Sequence, residues 1–209
     1  MKHVLALFGE TEIFIFVFME IVSRIDTIQR VMIDKAKWID KVVFVTVFGG
    51  FSIFGTYIGI PLQSGAIVNI RDFAPIMAGL TAGPLMGLAV GLIGGIHRLF
   101  LGGLTWLPCG LATIVAGAIA GGVHYYHKGK LVGILEGVLV AIVVEILHGL
   151  LTLAIARPLA DAIEVTKIAI PAMMLANGLG VAVGVILLEH TKELRALRET
   201  VQRGAARKA

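Results

Sequence analysis

Cysteine occurs once in this 209-residue chain, at Cys109, which excludes an internal disulfide and any metal cage built on cysteines. Charge is also scarce: 15% of residues are Asp, Glu, Lys or Arg, against 57% hydrophobic and a mean hydropathy of +0.93. A soluble domain carries far more charge, so the composition indicates an integral membrane protein. The N-terminus does not read as a cleavable leader, because Met1 to Ser23 holds Glu10, Glu12 and Glu20 and no small-residue cleavage site after a clean apolar core. Familiar catalytic signatures are missing as well. There is no nucleophile elbow, no Gly-x-x-x-x-Gly-Lys phosphate cradle and no serine with a spaced base, so enzymatic activity, a cofactor and a nucleic-acid partner are not expected.

What the chain has in quantity is glycine at a regular interval. Gly79, Gly83, Gly87, Gly91 and Gly95 recur at every fourth position inside an uncharged stretch from Ala74 to Ile96. In water each interior glycine costs a helix about 1 kcal/mol relative to alanine. In a bilayer, small residues four apart let helix backbones approach closely, and the row becomes a packing surface.

Runs of about 20 apolar residues place spans at Val4–Val22, Val42–Ile60, Phe73–Ile96, Leu104–Tyr126, Leu131–Ala156 and Ile168–Leu188. The expected fold is an all-α integral membrane protein of about six membrane-embedded helices, with the third packed through its glycines. The acidic residues and Phe14, Phe16 and Phe18 of the first segment would also suit a helix lying at the interface. Prolines punctuate the boundaries, with Pro61 and Pro158 after spans and Pro75 and Pro171 in first turns. Pro84 falls inside the glycine-rich helix and should bend it.

The polar segments are Arg24–Lys41 and Glu189–Ala209. The chain therefore divides into a first helix and polar loop over 1–40, a membrane domain over 41–188 and a basic helix or tail over 189–209. Leu187, Leu194, Leu197 and Val201 stand near heptad spacing, which suits a signalling coiled coil as well as a basic tail on lipid headgroups does. Five intervening spans would put the two basic segments on opposite sides, against the positive-inside tendency. A re-entrant segment around His97 to Cys109 would put both in the cytoplasm.

Polar groups at membrane depth are expensive and point to function. Asn69, Arg71 and Asp72 precede the glycine helix, His97 and Arg98 follow it, Cys109 and Thr113 open the next span, Glu145 and His148 lie three apart on the fifth, and Asn177 lies on the sixth. Arg71 and Arg98 are 27 residues apart. One straight helix would separate them by about 40 Å, so they meet only if that helix is broken. Converged guanidinium groups would hold a small carboxylate through their planar forks. Alternatively Arg71 pairs with Asp72 or a headgroup, and Arg98 snorkels or pairs with Glu145. Glu145 and His148 have the spacing of a di-iron ligand pair, but with one copy no metal site is expected.

Gly65-Ala-Ile-Val-Asn-Ile-Arg-Asp72, the run Ala78 to Arg98, Leu101-Gly-Gly103, Cys109 to Gly117, Glu145-Ile-Leu-His148, Pro171 and Ala176-Asn-Gly178 resemble the membrane sensor region of the LytS/YehU (BtsS) family of histidine kinases. The resemblance covers about Lys41 to Leu188. It implies a multi-pass receptor of the cytoplasmic (inner) membrane that binds a small carboxylate such as pyruvate and signals through its C-terminal helix, in carbon-source or cell-wall regulation. It also implies a ligand site at Arg71, Arg98, Cys109 and Thr113. From their place among the polar groups at membrane depth, Asn69 and Asn177 are further candidate ligand-binding positions and Asp72, His97, Glu145 and His148 candidate supports. Ala112 stands where the family's serine is expected. The kinase portion usual in the family is not in this sequence, so signalling would need a homodimer or a separate kinase partner, in contact with membrane lipid. The fold implied is similar to that of substrate-binding subunits of energy-coupling-factor transporters. A transporter subunit is the alternative function.

Overall fold

Gly83 and Pro84 divide the glycine-rich segment into two helices. In a computed structural model, which describes residues 2–32, 35–62 and 65–206, Gly83 has φ +87° and ψ −178°, a conformation that side-chain-bearing residues rarely adopt. Pro84 follows at the first position of a new helix, where its missing N–H costs nothing. The expected single bent span is therefore a pair, α4 (Phe73–Ala82) and α5 (Pro84–Phe100). Proline alone would kink a helix; glycine before it reverses the chain.

The other elements are α1 (Lys2–Val22), α2 (Asp26–Met32), α3 (Trp38–Tyr57), a two-stranded antiparallel ribbon of β1 (Ile60–Pro61) and β2 (Ile67–Val68), α6 (Trp106–Tyr126), α7 (Ile134–Ile155) and α8 (Leu159–Ala206). Among the described residues, α3, α6, α7 and α8 are long and apolar enough to cross a membrane, and α4 and α5 are shorter apolar helices. α1 does not lie apart at an interface. Its Ile15, Met19 and Val22, on one helical face, are buried, Ile15 packs at Gly180 of α8, and Phe14 and Phe18 meet ring partners on α3. The opposite face (Ile13, Phe16, Val17) is exposed, as lipid contact requires.

Glycine contacts fix the direction of each arm of the hairpin. A Cβ on Gly91 would stand 2.7 Å from the Thr113 carbonyl oxygen of α6, and one on Gly95 2.6 Å from the Gly110 carbonyl oxygen. Gly87 and Gly117 likewise touch through their backbones. Partner numbers fall as α5 advances, so α5 and α6 are antiparallel. For α4 they rise together, since Asp72 meets Thr113 and Gly79 meets Gly121. Hence α4 runs with α6, α5 runs against it, and Gly79 and Gly87 close on each other across the turn. The loops agree: Gly65, before α4, lies against Gly103, after α5.

The re-entrant element is thus this hairpin, not the segment His97 to Cys109, which forms the end of α5, a turn and the start of α6. With the hairpin returning to its own side, α3, α6, α7 and α8 make an even number of crossings between the two basic segments. Both stand on one face, where Arg195 of α8 reaches Asp26 of α2 at 3.1 Å. The positive-inside tendency places that face in the cytoplasm.

α8 is far longer than the expected Ile168–Leu188. It begins at Leu159, so Pro171 falls inside it and not in its first turn. It then continues without a break to Ala206, carrying the exposed Leu194, Leu197 and Val201 beyond the bundle. The tail charges Arg207 and Lys208 lie outside the described residues.

Candidate functional site

The α4–α5 hairpin returns Arg98 to the end of the bundle from which Arg71 enters, and both side chains are fully buried. Their supports stand in one line on α6. Thr105, Cys109 and Thr113 are four apart and so share a helical face. Arg98 donates to Thr105 Oγ1 at 3.3 Å and to the Gly102 carbonyl at 2.7 Å. Arg71 donates from Nε to Thr113 Oγ1 at 2.7 Å. Cys109 lies between the two threonines, about 6 Å along the axis from each.

Local sequence explains the pose of Arg71. Asn69 accepts the Arg71 N–H on Oδ1 at 2.9 Å and donates to the Ile67 carbonyl at 2.7 Å, an Asx-type turn that stops the β-ribbon before α4 begins. Ser52 of α3 donates to the Arg71 carbonyl at 3.1 Å. Gly55 lets α3 press on that backbone, since a Cβ there would stand 3.1 Å from the Arg71 nitrogen.

Behind the arginines lies a buried polar network. The Thr113 hydroxyl donates to Asp72 Oδ1 at 2.5 Å. Asp72 Oδ2 is 3.1 Å from His148 Nδ1, and His148 Nε2 is 3.1 Å from Cys109 Sγ. Glu145 approaches the same His148 nitrogen at 3.4 Å and accepts from Asn177 Nδ2 of α8 at 2.8 Å. Asp72, Glu145 and His148 bring ligand atoms within 4.8 Å of one another, which is metal-site spacing. Asp72 and His148 are already matched to each other and to Thr113 and Cys109, however, and the Arg71 guanidinium stands 3.6 Å from Asp72, where a second cation would be repelled. The arrangement suits a hydrogen-bonded network better than a dication.

The arginines themselves are not fully matched. Nη1 and Nη2 of Arg71 and Nε of Arg98 are buried without a hydrogen-bond partner. Asp72 meets Arg71 only near Nε, and Glu145 faces His148 and Asn177 instead of Arg98. A buried charge left short of partners costs several kcal/mol. Here the open donors are those of a fork that fits a carboxylate.

Several expected positions have other surroundings. His97 is half-buried on α5 with Nε2 3.2 Å from the Tyr57 hydroxyl, outside the network. Asn69 is committed to backbone, which makes it a support for Arg71. Asn177 is joined to Glu145, the Met173 carbonyl and the Asn69 carbonyl, and its Oδ1 is open. Ser52 and Thr105 were not singled out from the sequence. Each is a hydroxyl in apolar surroundings, the signal that could have found them.

The chain matches the family model described as the 5TMR of 5TMR-LYT over residues 25–191. It belongs to that family. Among curated relatives, the sensor histidine kinase BtsS of Escherichia coli (strain K12) is 39% identical over 148 residues, covering 68% of this chain and 26% of that protein. The sensor histidine kinase YpdA of the same organism is 37% identical over 164 residues, covering 73% and 27%. The sensor protein LytS of Bacillus subtilis (strain 168) is 32% identical over 158 residues, covering 67% and 26%. The chain thus spans about a quarter of the length of these relatives, and its match is to their membrane receptor domain. It is a multi-pass inner-membrane protein. Among solved structures, the S component of a bacterial ECF transporter is similar in fold, with a TM-score of 0.53 and 16% identity over 77% of this chain and 98% of that one.

Proposed function

We propose that this receptor domain binds a small carboxylate of pyruvate size between Arg71 and Arg98, entering from the face opposite the C-terminal helix. The observation that carries this reading is the fully buried Arg71 whose two Nη groups lack partners. A planar anion supplies what they need. Thr113 and Cys109 complete the pocket wall.

The output runs through α8. A chain of contacts passes from Cys109 and Asp72 to His148, then to Glu145, then to Asn177 of α8, and α8 continues past the membrane to Ala206. Residues 41–188 act as the sensor, 189–206 as the output and 1–40 as a flanking unit. A kinase, in a dimer or as a separate partner, reads the output helix, in the control of carbon-source use or cell-wall turnover. Ligand shifts α8 only by as much as it prefers one arrangement of this network over another.

Thermal stabilisation of the purified protein in detergent tests the site, with pyruvate, lactate, acetate and short dicarboxylates as probes. Arg71→Ala and Arg98→Ala should each abolish stabilisation by pyruvate. Unchanged stabilisation in both would reject the site.

A further inference from the structure

We propose that Cys109 captures the ketone carbon of a small 2-oxo acid as a reversible thiohemiketal, with His148 carrying the proton and Asp72 orienting His148. The inference rests on the carboxylate site above and adds to it a reversible covalent step on this chain's own thiol. A buried cysteine is ordinarily inert. This one faces a base: Sγ is 3.1 Å from His148 Nε2, and the other ring nitrogen is 3.1 Å from Asp72 Oδ2. Nucleophile, base and orienting carboxylate within hydrogen-bond reach form the constellation that activates a thiol.

The position of Cys109 decides what it would attack. It stands on α6 between the threonines that hold Arg98 and Arg71. A 2-oxo acid with its carboxylate on the open guanidinium donors therefore has its ketone carbon, the next atom, beside the sulfur. The thiol proton passes to His148 Nε2, sulfur bonds to the ketone carbon, and the carbonyl π pair moves to oxygen. That oxygen then takes the proton back from His148. One S–H and one C=O become one S–C and one O–H, so no oxidant or second reactant is needed.

Selectivity follows from the space alongside. A cavity of about 10 Å³ is lined by Cys109, His148, Thr105, Thr152, Ala169 and Met173. That volume holds about one water, or a methyl group of similar size. The methyl group of pyruvate matches that space, a longer 2-oxo acid would have to push its walls apart, and lactate and acetate offer no ketone.

Carbon NMR of the full chain in detergent with [2-¹³C]pyruvate tests the bond. The expected result is a protein-bound resonance in the sp³ region that is absent with Cys109→Ala. A bound resonance that stays in the ketone region overturns the thiohemiketal and leaves the carboxylate site standing. An sp³ resonance that persists in Cys109→Ala is bound hydrate and overturns it equally. No bound resonance, together with no thermal stabilisation, removes both readings. Affinity gives a second measure: Cys109→Ala should weaken pyruvate about tenfold more than it weakens lactate, whereas equal loss for both ligands counts against the bond.

Discussion

At its Gly83 end the α4–α5 hairpin is held by backbone against backbone; at its Arg71 end it is held by side chains reaching across from three other helices. There Gly79 and Gly87 leave no room for a single added carbon, and this end has one discrete arrangement. The other end holds two buried guanidinium groups, two carboxylates, an imidazole and a thiol, with several donors and acceptors still open. The dry seam fixes the polar end in place. The polar end, being incompletely matched, is the part whose free energy a ligand can change.

The largest effect should come from breaking the seam. Gly87→Leu forces α5 off α6 along the whole contact with Gly117, beyond the 1–3 kcal/mol usual for overpacking, because backbone and not a side chain must give way. We expect loss of monodisperse protein and of ligand-independent thermal stability. Gly122→Ala, where an added Cβ meets nothing within 4 Å, is the control and should change neither. A stable Gly87→Leu protein would show that the seam does not define the fold.

Next in size, Arg71→Lys keeps the charge and removes the fork. Truncating or mismatching a buried, hydrogen-bonded charge typically costs 2–5 kcal/mol, here expected mainly as lost pyruvate stabilisation in a thermal shift, with the seam intact. Smaller still is Asn177→Leu, which cuts the link from Glu145 to α8. It should leave pyruvate binding within about threefold and abolish the ligand-dependent change in mobility of a spin label at Leu197. Retained mobility change would mean that α8 is moved by another route.

Much of this comparison is legible in the sequence, and its limits have physical causes. The spans follow from apolar run length, and the polar residues at membrane depth stand out because burial in lipid is costly. The hairpin does not stand out, because Gly83-Pro84 reads equally as a kink or as a reversal until the positive φ of Gly83 is known. The same ambiguity hides the common face of the basic segments, since the number of crossings depends on that reversal. Asn69 looks like a ligand contact because sequence does not show that both ends of its amide are taken by backbone. Ser52 and Thr105 escape notice because single hydroxyls are common in membrane helices, where they often bond back to their own helix.

The smallest effect belongs to the contact that shows both basic segments on one side. Asp26 and Arg195 meet at 3.1 Å, but the aspartate side chain is 80% and the arginine 39% exposed. Water and salt screen such a pair, so a double-mutant cycle of Asp26→Ala and Arg195→Ala should return a coupling of about 0.2–1 kcal/mol that vanishes at high salt. A coupling above that range would mean the pair is shielded from solvent. Coupling of any size in the intact protein also requires both residues to share a compartment, so a reproducible value, however small, supports the even number of crossings that the hairpin creates. If instead each residue labels from a different side of a sealed vesicle, the hairpin crosses the membrane, and the convergence of Arg71 with Arg98 falls with it.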